Sequence, residues 1–166
     1  MIKPIKQCYW VEPGKLLAGE YPRDLDESSS QEKINALLDA GISVFIDLTE
    51  ANEGLLPYTA LIGQVIHRRF GIRDVSIPDS LETTSRILDA IDGYLEQGES
   101  VYVHCWGGVG RTGVIIGCWL ARHGSGGRDA LYRLHDLWTQ CPKSARRRSP
   151  ETQAQKQYIT AWRAGQ

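Results

Sequence analysis

Val101-Tyr-Val-His-Cys-Trp-Gly-Gly-Val-Gly-Arg-Thr-Gly113 is the stretch from which the rest of the 166-residue chain can be read. Val101-Tyr102-Val103 has the β-branched and aromatic composition of a short strand. It runs straight into His104-Cys105 and a segment holding Gly107, Gly108 and Gly110. From near Gly110 the pattern becomes helical. Val114, Ile115, Ile116, Cys118, Trp119 and Leu120 leave almost no polar face, which predicts a central buried helix. A strand, a glycine-rich loop and a helix can turn successive backbone N–H groups inward, and the helix start adds its own unpaired N–H groups and positive dipole end. The expected product is a cradle for a phosphate-sized anion. The lysine of a Gly-x4-Gly-Lys-Ser/Thr nucleotide loop is absent.

Working outward, the flanking segments alternate between strand and helix. Tyr9-Trp10-Val11 and Leu16-Leu17-Ala18, separated by Pro13-Gly14, read as a hairpin. Gln31–Ala40 reads as a helix with Gly41 as its stop. Ile42–Leu48 reads as a buried strand, and Val65–Arg69 as a further strand. Leu81, Ile87, Leu88, Ile91 and Leu95 keep helical spacing, with Asp79 as the expected N-cap, Glu82 completing a capping box and Gly98 at the end. Asp129–Thr139 reads as another helix. The last is expected to open at Ser149-Pro150, with proline at its first position. The class is therefore α/β: a small, mostly parallel central sheet flanked by helices, with the cysteine loop between a central strand and a buried helix. The length predicts one domain over residues 1–166.

Composition narrows the function classes. Nineteen Lys and Arg against twenty Asp and Glu give a net charge of -1, without the basic excess of a nucleic-acid-binding protein. Val114–Ala121, broken only by Gly117, is too short to span a bilayer. Met-Ile-Lys-Pro-Ile-Lys leads into no apolar signal core, so export is not expected. Cys8, Cys105, Cys118 and Cys141 fit neither a zinc spacing nor a disulfide framework, and His67, His123 and His135 show no metal-ligand spacing. No metal is expected, and the thiols read as free in a reducing cytoplasm.

Cys105 stands apart from the other three. It sits at the entrance of the anion loop, where inward N–H groups and Arg111 favour its thiolate. Arg111 offers a planar fork for two phosphate oxygens. Thr112 can place a hydroxyl near the sulfur. Cys-x5-Arg alone is a weak signal, since Cys141 and Arg147 share the spacing. That second segment has no glycine, contains Pro142 and follows a helix, so Cys141 is expected to be structural. His104 is expected to hold the loop by hydrogen bonds. Trp106 either shapes the loop's outer wall or only packs. Arg146-Arg-Arg148 reads as a solvated run, or as a contact for an acidic phosphoprotein.

His104-Cys-Trp-Gly-Gly-Val-Gly-Arg-Thr-Gly113 resembles the phosphate loop of the cysteine-dependent protein tyrosine phosphatase superfamily, and the length resembles its compact dual-specificity branch. Gly-Gly-Val-Gly is similar to the loop of cyclin-dependent-kinase-associated phosphatases. The resemblance implies hydrolysis of phosphate monoesters on phosphoproteins, phosphotyrosine foremost, through a phosphocysteine and without cofactor. It implies Cys105 as nucleophile, with the phosphate held by Arg111 and by Trp106, Gly107, Gly108, Val109 and Gly110. It implies an acid a few residues before the Leu81 helix, which fits Asp74; Asp79 is the second candidate, and Glu50 and Glu53 come next. Thr152–Tyr158 is similar to a segment that positions water, so Gln153 and Gln157 read either as water-positioning residues or as exposed helix polars. A phosphoprotein is the expected partner of a monomer, with no nucleic acid or membrane.

Two other classes are weighed. A phosphopeptide-binding module without turnover would not need Cys105, Arg111, Thr112 and an acid together. A sulfurtransferase or arsenate reductase would not need the Arg-Thr-Gly ending, and arsenate reduction wants a partner thiol that Cys118, inside the buried helix, is poorly placed to supply.

Overall fold

The computed structural model describes residues 2–166. Its sheet has five strands in the order β1-β2-β5-β3-β4: β1 (Cys8–Glu12), β2 (Leu16–Gly19), β3 (Val44–Asp47), β4 (Ile66–Arg69) and β5 (Val101–His104). Only the β1–β2 hairpin is antiparallel. Gly14, in the left-handed region at φ 75°, makes its turn. β5 is central, paired in parallel with β2 on one side and β3 on the other. Every residue of it is buried, as expected of a strand covered on both faces.

The strands' period-2 alternation sorts the core into two layers. Val101 and Val103 of β5, Val44 and Ile46 of β3, and Leu16 and Ala18 of β2 face the larger layer. It is covered by α2 (Leu81–Glu96), α3 (Arg111–Arg122), α4 (Gly127–Trp138) and α5 (Gln153–Ala161). Tyr102, Phe45 and Leu17 face the other way, against Ile34 and Leu37 of α1 (Glu27–Asp39). The α/β architecture is the one expected. α3 is buried from Arg111 to Ala121. It lies so close to α5 that a Cβ on Gly117 would sit 2.4 Å from Ile159. Edge strand β4 carries Arg68 and Arg69, charges that discourage edge pairing with another chain.

Three helix starts differ from expectation. α1 begins at Glu27, four residues before Gln31, because Asp26 caps it, its carboxylate accepting from Ser29 N–H at 2.8 Å. α2 is capped by Ser80, whose hydroxyl accepts from Thr83 N–H at 3.0 Å, while exposed Asp79 accepts from the Thr83 hydroxyl. Adjacent Asp and Ser are both competent caps, and the chain uses the one nearer the first apolar residue. α5 opens at Thr152, not at Ser149-Pro150, with a capping box to Gln155. Ser149 is instead spent on the loop: its hydroxyl donates to Val109 O at 2.7 Å.

Candidate active site

The site lies where the parallel strands end, beyond the C-terminus of β5, as ligand sites in open α/β sheets do. The loop after Cys105 is held from outside by its carbonyls. Trp106 O accepts from Tyr21 N–H at 2.8 Å, Gly107 O from the Lys143 ammonium at 2.9 Å, and Gly110 O from Val114 N–H at 2.9 Å. Val109 O is taken by Ser149, as above. With the carbonyls turned outward, the N–H groups turn inward. No N–H from Trp106 to Gly110 donates to a protein acceptor among the described residues. Two more buried donors, Arg111 Nε and the Thr112 hydroxyl, also lack a partner there. Buried donors are normally paired, so this concentration of free ones is suited to an anion.

Among the loop glycines, Gly108 is the most demanding. Its φ is +71°, and a Cβ there would lie 2.5 Å from the Gly19 carbonyl carbon. Gly110 would meet the Glu151 carboxylate, whereas Gly107 has only ordinary contacts at 3.7 Å and beyond. Gly108→Ala is expected to cost about 2–4 kcal/mol, combining left-handed strain with overpacking. Gly107→Ala should cost under about 0.5 kcal/mol, as a substitution free of such features does. Urea unfolding midpoints of the two variants check this.

Cys105 is buried at 3% exposure and faces a cavity of about 150 Å³. Asp74, Val75, Trp106, Val109, Arg147 and Glu151 are among its walls. Arg111, 1% exposed, is clamped from behind. Its guanidinium chelates the Glu53 carboxylate and donates to Ile72 O at 2.9 Å. A third carboxylate oxygen, from Asp74, is 2.9 Å from Arg111 Nη2. Burial opposes the Arg111 charge, but Glu53, Cys105 and Asp74 more than offset it, raising its pKa. Asp74 is itself 55% exposed. Val75, next to it, has φ +56°, a strained conformation for a β-branched residue that recurs at functional loops.

His104 does the structural work expected of it. Burial lowers its pKa to about 4, so the ring is neutral. Its Nδ1 lies 3.2 Å from Cys105 O and its Nε2 2.6 Å from the Tyr58 hydroxyl, the pattern of a ring that donates from Nδ1 and accepts at Nε2. Burial works against the charge on nearby Asp47, yet hydrogen bonds from His67 and Thr49 hold its carboxyl below the usual range. Cys118 and Cys141 are buried in the core, and burial raises both thiols. Neither lines the cavity.

The structure thus brings Cys105, Asp74, Trp106, Gly107, Val109 and Gly110 to one cavity, with Arg111 paired to Asp74; Gly108, Arg111 and Thr112 are not among the cavity's walls. It leaves out Asp79, which does not border the cavity, and Glu50. Gln153 and Gln157 fit the second of their two readings, exposed helix polars: both are exposed on α5 and neither lines the cavity. The glutamine turned inward is Gln155, fully buried, donating to Ser76 O at 2.9 Å and packed behind Gly110. Its sequence signal was the Thr152-x-x-Gln155 capping box. Glu53, a late candidate for the acid, is instead the carboxylate that chelates Arg111, a pairing no local pattern around it signals. No group of His, Cys, Asp and Glu side chains fit to hold a metal ion occurs among the described residues.

A family model described as "Polymorphic toxin system, DSP-PTPase phosphatase" matches residues 22–125, from the chain after β2 to the end of α3. The chain belongs to this family. A relative of this DSP-PTPase chain is protein 067L of Invertebrate iridescent virus 3, whose name assigns it provisionally to the tyrosine phosphatases. It is 37% identical over 122 residues, covering 70% of the present chain and 47% of its own. The DSP-PTPase chain thus spans less than half the length of that relative. Tk-PTP in its active form superposes with a TM-score of 0.74 at 22% identity, over 92% of this chain and 93% of its own. Kinase associated phosphatase, with its catalytic-site cysteine replaced by serine, gives 0.72 at 19% identity, over 87% and 83%. These two likenesses show the fold.

Proposed function

We propose that the chain hydrolyses phosphate monoesters on phosphoproteins, phosphotyrosine foremost and phosphoserine or phosphothreonine more slowly, through a phosphocysteine. The observation that carries this is the set of free donors, the loop N–H groups with Arg111 Nε and the Thr112 hydroxyl, in the loop and first helical turn that follow Cys105. Such preorganised donors stabilise the charge on a transferring phosphoryl group. In the first step the Cys105 thiolate attacks phosphorus, the bond to the leaving oxygen breaks, and Asp74 gives that oxygen a proton. In the second, water attacks the phosphocysteine, Asp74 takes the water's proton, and the thiolate leaves, steadied by the Thr112 hydroxyl. Arg111 holds the equatorial oxygens through both steps. Trp106, 60% exposed at the cavity rim, offers an aromatic face to a tyrosine ring. No step needs a second copy, metal or cofactor. A reducing cytoplasm is the proposed setting, since all four thiols are free.

The test is a kinetic panel of phosphotyrosine and phosphoserine peptides and phosphoinositide vesicles, run in chelator. Phosphotyrosine should lead in kcat/KM by roughly tenfold or more, with vanadate competing against substrate. Dependence on an added divalent metal would remove the thiol mechanism, and faster hydrolysis of the vesicles would remove the phosphoprotein assignment.

A further inference from the structure

Trp106 walls the catalytic cavity on one side and a second cleft, of about 350 Å³, on the other. The second cleft runs between Tyr21–Leu25 and Gly54–Leu56. Its apolar wall stands open to solvent: Leu25 is 93% and Leu56 43% exposed. Arg23 and Asp24 both line the cleft, but Asp24 is taken by Lys33. Around the mouth of the site, Lys33 is paired with Asp24 at 2.7 Å and Glu20 at 2.9 Å, Lys143 with Glu20 at 2.7 Å, and Arg147 with Glu151 at 2.7 Å. Arg111 has Glu53 and Asp74. Arg23 alone among these cations has no carboxylate partner among the described residues. Its Nη1 donates to Pro57 O at 2.7 Å, while its buried Nε has no acceptor among the described residues.

We propose that this cleft is a substrate subsite, which binds the residues flanking the phosphorylated one in a phosphoprotein. An acidic side chain pairs with Arg23, and a bulky apolar side chain lies against Leu25, Leu56 and Trp106. The inference rests on the phosphatase reading above and adds the substrate's sequence class to it. A guanidinium with free donors selects a carboxylate by paired, charge-assisted hydrogen bonds. The apolar wall next to it selects an adjoining hydrophobic residue. An acyl chain would use the wall and leave Arg23 unmatched, so an acidic-apolar peptide is the better complement.

The test uses phosphotyrosine peptides carrying one leucine, with glutamate, glutamine or lysine placed in turn at each of three positions on either side of the phosphotyrosine. For each variant, kcat/KM on peptide is divided by kcat/KM on p-nitrophenyl phosphate, which reaches the catalytic cavity alone and reports that the protein is folded. In the wild type, glutamate should beat glutamine by roughly tenfold at one position or more, the worth of one charged contact. Arg23→Gln should erase that preference, and Arg23→Glu should turn it toward lysine. Leu25→Ser should lower the ratio for leucine-bearing peptides. A structural role for Arg23 at Pro57 would lower all peptides alike and reverse nothing, which would overturn the subsite. Equal rates for glutamate and glutamine at every position in the wild type would overturn it too, as would phosphoinositide vesicles outrunning every peptide in an Arg23-dependent way. If the wild type does not hydrolyse p-nitrophenyl phosphate, the phosphatase reading itself has failed, and the subsite with it.

Discussion

Cys105→Ser is expected to lower turnover by about 10⁴-fold or more while leaving the loop able to bind phosphate, because a serine at its ordinary acidity supplies almost no alkoxide. The donors proposed to bind the anion are the loop N–H groups and Arg111, which an exchange of sulfur for oxygen leaves in place. The expected signature is therefore a retained dissociation constant for phosphate or substrate with lost kcat. Cys141→Ser is the matched comparison. Cys141 has the same spacing to Arg147 that Cys105 has to Arg111, but its thiol is buried and points at Gln7 Oε1, 3.3 Å away. The variant should keep activity per folded molecule near that of wild type. Steady-state kinetics with calorimetric titration of vanadate separates the two, and equal losses in both variants would refute the assignment of Cys105.

Asp74→Asn should slow phosphotyrosine hydrolysis by roughly 10²–10⁴-fold, the usual worth of general acid catalysis. The loss should depend on the leaving group. A tyrosine phenol, with a pKa of about 10, needs the proton; an activated aryl phosphate needs it much less. The structure adds a reason to expect Asp74 at this position. Its carboxylate borders the cavity and lies 2.9 Å from Arg111 Nη2. The basic limb of the rate profile should flatten in the variant. Asp79→Asn should leave it unchanged, because Asp79 is turned to the Thr83 hydroxyl, outside the cavity. Rates across a series of aryl phosphates, measured for both variants, decide between the two carboxylates.

Elements whose pattern is local and repeated were legible in the sequence. The hairpin, the buried β5 and the all-apolar α3 follow from periodicity and composition. The anion loop follows from glycines set between a strand and a helix. Legibility failed where two neighbouring residues offered nearly equal local solutions. Asp79 and Ser80 can each cap α2, and Ser149-Pro150 and Thr152 can each open α5; tertiary contacts chose between them. Gln155 closes the capping box on Thr152 and is buried behind Gly110, while Gln153 and Gln157, two residues to either side, lie in solvent. Glu53 and Arg23 belong to a third kind. They lie in segments without regular structure, and their roles depend on partners 58 residues away at Arg111 and 34 away at Pro57. No spacing rule encodes such pairs.

Mass spectrometry of protein quenched within the first turnover tests the phosphocysteine most directly. On mixing with an aryl phosphate, a phosphoryl group should appear on the peptide containing Cys105, at the rate of the first burst of alcohol, and be absent from Cys105→Ser. A full burst with that peptide unmodified, or with the phosphoryl group on another residue, would contradict the mechanism.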